Sequence, residues 1–338
     1  MIKKSRLPTW FTPTIFLMLT AFSCANLQAA GIASITVPAA GTEPALQAMV
    51  WSPCIKADGP VELGIFTLQA VRKCDVAGDA LPLIVISHGK GGTMIGHHDT
   101  ANALANAGFV VAALSHPGDS FGDDATTGKL EVFNSRPRDM RRLISFMTND
   151  WQHRKHLNAS AIGVFGFSRG GYTALNLIGA VPDAPAGAHR YCDGWWTNVI
   201  SLCRQFKASG ASIAALSDAR IRAAVVADPL NLFGAASFKT VHVPVQLWAS
   251  ELGGDGVKLT DVEAVKAQLP QMPEFHVARG AGHFAYLAPC PAALAQSAKE
   301  ICADPKGFDR ADWHKKMNAS VVAFFQKNLS PPVKAISK

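Results

Sequence analysis

The chain has 338 residues, 49% of them hydrophobic, enough for one large buried core and too apolar for an intrinsically disordered protein. The formal net charge is +7, but Lys3, Lys4 and Arg6 contribute three of those charges at the very start of the chain. Beyond residue 29, 29 basic face 25 acidic side chains, a balance of +4 too mild and too scattered for a nucleic-acid partner.

Taken in chain order, the first element is a leader. A basic head, the apolar run Ile15–Phe22 behind Pro13, and the mostly small-residue stretch Ser23–Ala30 read as a secretory signal peptide over residues 1–29, with cleavage after Ala25 or Ala29. The run is too short for a comfortable membrane span. The mature protein, residues 30–338, is therefore expected in the periplasm or outside the cell, without stable membrane insertion. A lipoprotein anchor at Cys24 is the less favoured alternative, because the usual leucine three residues upstream is missing. Export implies an oxidising compartment, so the remaining six cysteines read as disulfides. Sequence proximity favours Cys54–Cys74, Cys192–Cys203 and Cys290–Cys302 over free buried thiols. No Cys-x-x-Cys is present.

The spacing then predicts strands at Ile32–Val37, Gln47–Trp51 and Gly64–Val71, followed by an alternation of strands and helices. Leu83–Ser87 is a short continuous apolar run, as expected of a strand buried on both faces. Thr100–Ala107 is helical in composition and Phe109–Leu114 strand-like. Pro137 suits the first turn of a helix whose apolar face is Met140, Leu143, Ile144 and Met147. Arg136, Arg138, Arg141 and Arg142 are expected on its solvated face. Ile162–Phe165 is a strand and Gly171–Ile178 a helix. Strands at Ala223–Val226, Val243–Trp248 and Glu274–Val277, a helix at Asp261–Gln268 and a long amphipathic helix at Arg310–Asn328 complete the pattern. Such alternation implies a single α/β domain with a mostly parallel sheet covered by helices on both faces. Val181–Ser217, with two prolines, Trp195, Trp196 and the Cys192/Cys203 pair, reads as an insertion. The two tryptophans would wall a pocket or pack under the disulfide.

Between the strand at 162–165 and the helix at 171–178 stands Gly166-Phe167-Ser168-Arg169-Gly170. Gly-x-Ser-x-Gly in a strand-turn-helix context is a nucleophile elbow, in which small neighbours permit the strained turn that presents the serine. A serine hydroxyl needs a base and an orienting acid. In the order Ser, acid, His, the histidine comes late. His283 fits, behind flexible glycines in Gly280-Ala281-Gly282-His283. His276 lies inside a strand pattern and reads as a partly buried strand residue, and His314 reads as a surface residue. For the acid, Asp228 ends the strand "AAVVADP" and is favoured over Asp255 in the glycine-rich "ASELGGDGV", with Glu251 third. The losers would be solvated loop or capping residues. The oxyanion calls for amide donors. The backbone N–H of Arg169 follows the nucleophile, and that of Lys90 sits in the His88-Gly89-Lys90-Gly91-Gly92 loop. His88, His97 and His98 have no carboxylate or cysteine at zinc spacing, so no metal is expected. Asn158-Ala159-Ser160 and Asn318-Ala319-Ser320 match glycosylation acceptors, a pattern that recurs by chance.

"PLIVISHGKGG", "ALSHPGD", "RPRDMRRLI", "GVFGFSRGGYTAL", "VPVQLW" and "GAGHFAYLAPCP" together resemble exported bacterial α/β-hydrolases described as predicted dienelactone hydrolases, which are similar in turn to platelet-activating-factor acetylhydrolases. The match runs from about Ile32 to Leu329. The resemblance implies an α/β-hydrolase fold and a Ser-Asp-His esterase without metal or cofactor. Acetylhydrolases of that type carry their aspartate after the strand that follows the nucleophile helix, which corresponds to Asp228; other relatives carry it one strand later, which keeps Asp255 open. Dienelactone hydrolases themselves use a cysteine where this chain has Ser168. The leading expectation is a serine carboxylic-ester hydrolase acting on a small-molecule ester through an acyl-enzyme. Amide or peptide hydrolysis on the same machinery, and a non-catalytic binding protein on a hydrolase scaffold, are the alternatives. Neither the ester nor the oligomeric state can be read from the chain.

Overall fold

The computed structural model describes residues 29–193 and 200–329. The expected leader, apart from Ala29, lies outside the described residues, as do Trp195 and Trp196. The chain opens with β1 (Ala29–Val37), one residue inside the segment assigned to the leader, and β2 (Leu46–Cys54). Where one strand was expected over Gly64–Val71, the chain forms a hairpin of β3 (Gly59–Leu63) and β4 (Phe66–Arg72). Gly64 lies in the turn at φ +62, a conformation open to glycine.

The alternation follows with β5 (Leu81–Ser87), α1 (His98–Asn106), β6 (Val110–Ser115), α2 (Val132–Asn149), β7 (Leu157–Phe167) and α3 (Arg169–Leu177). The expected insertion carries α4 (Ala184–Tyr191) and α5 (Ser201–Lys207). Then come β8 (Ile221–Ala227), β9 (Val245–Ser250), α6 (Leu259–Gln268) and β10 (Glu274–Ala278). Two short helices that the sequence did not announce, α7 (Ala292–Ser297) and α8 (Lys299–Cys302), precede the long α9 (Arg310–Leu329).

The strands form one sheet of order β10-β9-β8-β7-β5-β6-β2-β1-β4-β3. From β6 to β10 all neighbours are parallel, while β2 runs antiparallel to both β6 and β1. Because successive strand residues point to opposite faces, β5 feeds two cores at once. Leu83 and Val85 pack into one core with Leu143 and Ile144 of α2, Leu175 of α3 and Val265 of α6. Ile84 and Ile86 pack into the other with Leu104 of α1 and Val321 and Phe325 of α9. This is the α/β-hydrolase architecture, a mostly parallel sheet with helices on both faces.

Pro137 corrects one expectation. The helix starts at Val132, so the proline falls inside it rather than in its first turn. A proline there has no N–H for the carbonyl four residues earlier, that of Phe133. The Tyr172 hydroxyl of α3 donates to that carbonyl at 3.1 Å, replacing the missing helical bond.

Disulfides join Cys54 to Cys74, Cys192 to Cys203 and Cys290 to Cys302, consistent with an extracellular or periplasmic location. Each closes a short loop and constrains the unfolded chain, on the order of 3 kcal/mol apiece in the chain-entropy account. Among the described residues no helix is long and apolar enough to cross a membrane.

Candidate active site

β7 delivers Ser168 at the carboxyl edge of the sheet, where ligands of open α/β sheets bind. Ser168 stands at φ +55, ψ −118, between the last residue of β7 and the first of α3. Such a backbone is strained for a residue with a Cβ, and strain of this kind gathers at functional sites. The neighbours show why they are glycines. A Cβ on Gly166 would fall 2.1 Å from the Gly170 carbonyl oxygen, and one on Gly170 would fall 2.0 Å from that of Ser87. Strand and helix therefore approach as only glycine allows.

Asp228 follows β8 directly and is also held at positive φ, +44. Its amide donates to the Trp248 carbonyl at 2.8 Å. Its Oδ1 accepts the Ser250 amide at 2.9 Å and its Oδ2 the Ser250 hydroxyl at 2.6 Å. The end of β9 thus fixes a carboxylate with no solvent access. His283 begins a 3-10 turn, His283–Tyr286, after β10, with its amide donating to the Gly253 carbonyl at 2.8 Å. Its Nδ1 lies 2.6 Å from Asp228 Oδ2 and its Nε2 2.9 Å from Ser168 Oγ. Since a carboxylate only accepts, the imidazole proton sits on Nδ1, and the Nε2 lone pair faces the serine hydroxyl. The ring packs beside Phe167, centroids 4.8 Å apart.

The structure therefore brings Ser168, His283 and Asp228 into one hydrogen-bonded chain and leaves the other acids out. Asp255 is exposed in the turn formed by residues 253–257. Glu251 accepts from Arg279 at 2.6 Å and from the Gly280 amide at 2.7 Å. Arg169 is the first residue of α3, where amides have no helical acceptor. Lys90 stands at the exposed tip of the loop after β5, next to Gly89, whose added Cβ would lie 3.3 Å from that of Ser168. Gly253, Gly254, Phe284 and Asp304 line a cavity of about 240 Å³ beside His283; Asp304 is ion-paired with Arg310 at 2.8 Å. Among the described residues no group of three or more His, Cys, Asp and Glu side chains is placed to hold a metal.

Two expectations fail. Arg136 is not on a solvated face; it is fully buried. It donates to Asp119 at 2.7 Å, to the His88 carbonyl at 2.7 Å and to the Gly89 carbonyl at 2.9 Å. Burial lowers its pKa to about 10, so it stays charged near neutrality. His314 is not on the surface either. Its Nε2 lies 2.7 Å from the Ala285 carbonyl and its Nδ1 2.6 Å from Asp99, which anchors the turn that begins at His283. The helical period carried a signal for both. Arg136 lies four residues before Met140, and His314 three before Met317, each on the core-facing stripe of its helix. His276 is a half-buried strand residue, stacked on Trp248 with centroids 4.1 Å apart. Asn318 is buried against Asp99 and Thr100, which leaves no room for a glycan.

The chain is similar to known proteins. The profile of the family described as serine aminopeptidase, S33, matches residues 78–246, half of the chain. The chain belongs to that family and is a serine hydrolase. No curated protein matches it in sequence. Among solved structures it is similar to a ferulic acid esterase from Streptomyces cinnamoneus, at 17% identity and a TM-score of 0.63, over 94% of this chain and 95% of that one. That is a likeness of fold.

Proposed function

We propose that the protein is a carboxylic-ester hydrolase that works through an acyl-enzyme on Ser168. The observation that carries this reading is the chain Ser168 Oγ, His283 Nε2, His283 Nδ1, Asp228 Oδ2, with links of 2.9 and 2.6 Å. In the first half-reaction Ser168 Oγ attacks the ester carbonyl while His283 Nε2 takes the hydroxyl proton. Asp228 holds the imidazole in the required tautomer and stabilises the imidazolium. The tetrahedral oxyanion is held by the amides of Lys90 and Arg169. The intermediate collapses and the alcohol leaves with the proton from His283. Water then repeats the sequence on the acyl-serine and releases the acid. Nucleophile, base and donors all come from the chain, so the reading needs no metal or cofactor.

The family's description raises a second reading, removal of amino-terminal residues from peptides. An aminopeptidase must neutralise the ammonium group of its substrate, which calls for a spare carboxylate near the nucleophile. Among the described residues, the carboxylate that lines the cavity beside His283 is Asp304, and Arg310 already pairs with it. The Asp228 position agrees with the resemblance to exported dienelactone hydrolase-like and acetylhydrolase-like enzymes, and three disulfides suit secretion or the periplasm.

Fluorophosphonate labelling with peptide mapping tests the nucleophile, and p-nitrophenyl esters set beside aminoacyl p-nitroanilides test the bond. Modification of Ser168 and turnover of the esters alone are expected. A label elsewhere, or full turnover by Ser168→Ala, would sink the mechanism, and anilide turnover would shift it to amide bonds.

A further inference from the structure

We infer that Arg136, held by Asp119, is a positioning residue for the two amides of the oxyanion site, an inference that rests on the esterase reading above. The mechanism as described makes no use of a buried charged group lying directly beneath it. Asp119 and Arg136 have no solvent exposure, and Arg169 is almost as buried. Buried ions of this kind are weak sources of stability, so their geometry asks for another account.

The account lies in what each donor holds. Arg136 draws the Gly89 carbonyl toward the core at 2.9 Å and that of His88 at 2.7 Å. His88 adds a second hold. Its Nε2 accepts the His116 amide at 3.1 Å, so its proton is on Nδ1, which donates to the Gly89 carbonyl at 2.6 Å. Burial and the neighbouring Arg136 keep that imidazole neutral, its pKa well below the ordinary value. The Gly89 carbonyl and the Lys90 N–H are opposite ends of one planar trans peptide and point in opposite directions. Pinning the carbonyl to the core therefore turns the Lys90 N–H outward. Gly89 itself lies against Phe167 and Ser168, so the outward side is that of the nucleophile.

The second amide is tied to the same centre. Arg169, whose N–H opens α3, sends its guanidinium to Asp119 Oδ1 at 2.8 Å and to the Thr127 carbonyl at 3.0 Å. Asp119 Oδ2 receives Arg136 Nε at 2.7 Å, and the Thr127 hydroxyl also donates to this carboxylate. A single carboxylate thus joins the residue that supplies one donor to the guanidinium that aims the other. Lysine at 136 would keep a charge for Asp119 but could not hold two carbonyls in a fixed fork.

The test separates aim from folding. An alkyl trifluoromethyl ketone adds the Ser168 hydroxyl across its carbonyl, forming the Oγ–C bond and an oxyanion while the proton passes to His283. It therefore reads the oxyanion site as the transition state does. In Arg136→Lys and Asp119→Asn, kcat per titrated active site should fall about 10²-fold, with KM within about twofold and ketone affinity falling in step with kcat. A merely structural role would lower the titratable fraction and leave kcat per site intact, and that outcome overturns the inference. Should neither variant fold, Thr127→Val, at the half-buried edge of the network, carries the test. A loss of about threefold in kcat and ketone affinity at constant KM supports the role, as expected for one hydrogen bond, and no change in either overturns it. Failure of the wild-type protein to bind the ketone, or full turnover by Ser168→Ala, would instead overturn the esterase reading itself.

Discussion

Two Ser–His–Asp chains of the same connectivity lie side by side in this molecule. In one, Ser168 Oγ is 2.9 Å from His283 Nε2 and His283 Nδ1 is 2.6 Å from Asp228. In the other, Ser87 Oγ is 2.9 Å from His116 Nε2 and His116 Nδ1 is 3.0 Å from Asp139. Ser87 pairs across the sheet with Gly166, two residues before Ser168. Residue types and distances therefore do not separate the two, and the surroundings do. Ser168 sits on a strained turn at a helix start and keeps some exposure, and its partner His283 lines a cavity. Ser87 is the last residue of a strand and has no exposure at all. Burial and the charge of Arg136 hold the His116 pKa well below its ordinary value, which unfits it as a base. Burial raises the Asp139 carboxyl to about 7. A nucleophile is made by access, backbone strain and donors for the developing charge; the second chain has the hydrogen bonds alone.

The sharpest way to break this contrast is to remove the two serines in turn. Ser168→Ala should lose about 10⁴-fold or more in kcat, whereas Ser87→Ala should keep kcat within about tenfold and still be labelled by a fluorophosphonate at Ser168. A label on Ser87, or comparable losses in both, would erase the distinction. The acids follow the same logic. Asp228→Asn should cost about 10⁴-fold in kcat, because the wrong tautomer then faces the nucleophile. Asp139→Asn should act through stability, and exposed Asp255→Asn should leave kcat and the unfolding midpoint unchanged.

How much of this was legible in the chain follows from what each residue depends on. Ser168 and His283 announced themselves because a strained elbow and a late glycine-flanked histidine are local patterns. Asp228 was favoured over Asp255 from its place at a strand terminus, which the alternation supplied, but the contacts with Ser250 of the neighbouring strand that hold its carboxylate are revealed by no spacing. The Ser87–His116–Asp139 chain and the Arg136–Asp119 pair were not legible as units. Arg136 carries a charge, and charge on a helix ordinarily means solvent. Its partners come from the loop after β5 and the loop after β6, so only the assembled sheet satisfies it. Pro137 misled for a related reason, since the group that compensates it, the Tyr172 hydroxyl, belongs to another helix.

Protonation probes the sealed region from another side. Burial lowers the His97 pKa to about 4 and pushes His88 well below its ordinary value, so both stay neutral in the folded chain. The unfolded chain binds protons on them below about pH 6.5, and stability must therefore fall as pH drops through that range. His116 and Asp139 offset each other there, because the folded pair keeps one proton on the acid while the unfolded pair keeps one on the imidazole. For His97 alone the loss by pH 5 is about 2 kcal/mol, and His88 adds in the same direction. Urea midpoints should be lower at pH 5 than at pH 7, and His97→Gln should narrow the gap. A flat profile would mean that these histidines are not kept neutral by burial.

An effect on stability alone is expected at the joint between the two regions. α3 carries Ser168 at its head, and α2 carries Arg136 and Asp139. They meet where the Tyr172 hydroxyl donates to the Phe133 carbonyl at 3.1 Å and accepts from Asn176 at 3.1 Å. Tyr172 is wholly buried, edge-on to Phe133 with centroids 5.2 Å apart. Tyr172→Phe keeps the ring and its packing but leaves the Phe133 carbonyl without a donor, since Pro137 cannot supply one. An unsatisfied buried carbonyl costs about 1–3 kcal/mol, and a lowered urea midpoint at unchanged slope would register it. The hydroxyl touches none of the reacting groups, so kcat on a p-nitrophenyl ester should stay within about twofold. If kcat instead fell with the midpoint unchanged, the joint would transmit geometry from the sealed network to the nucleophile rather than simply hold two helices together.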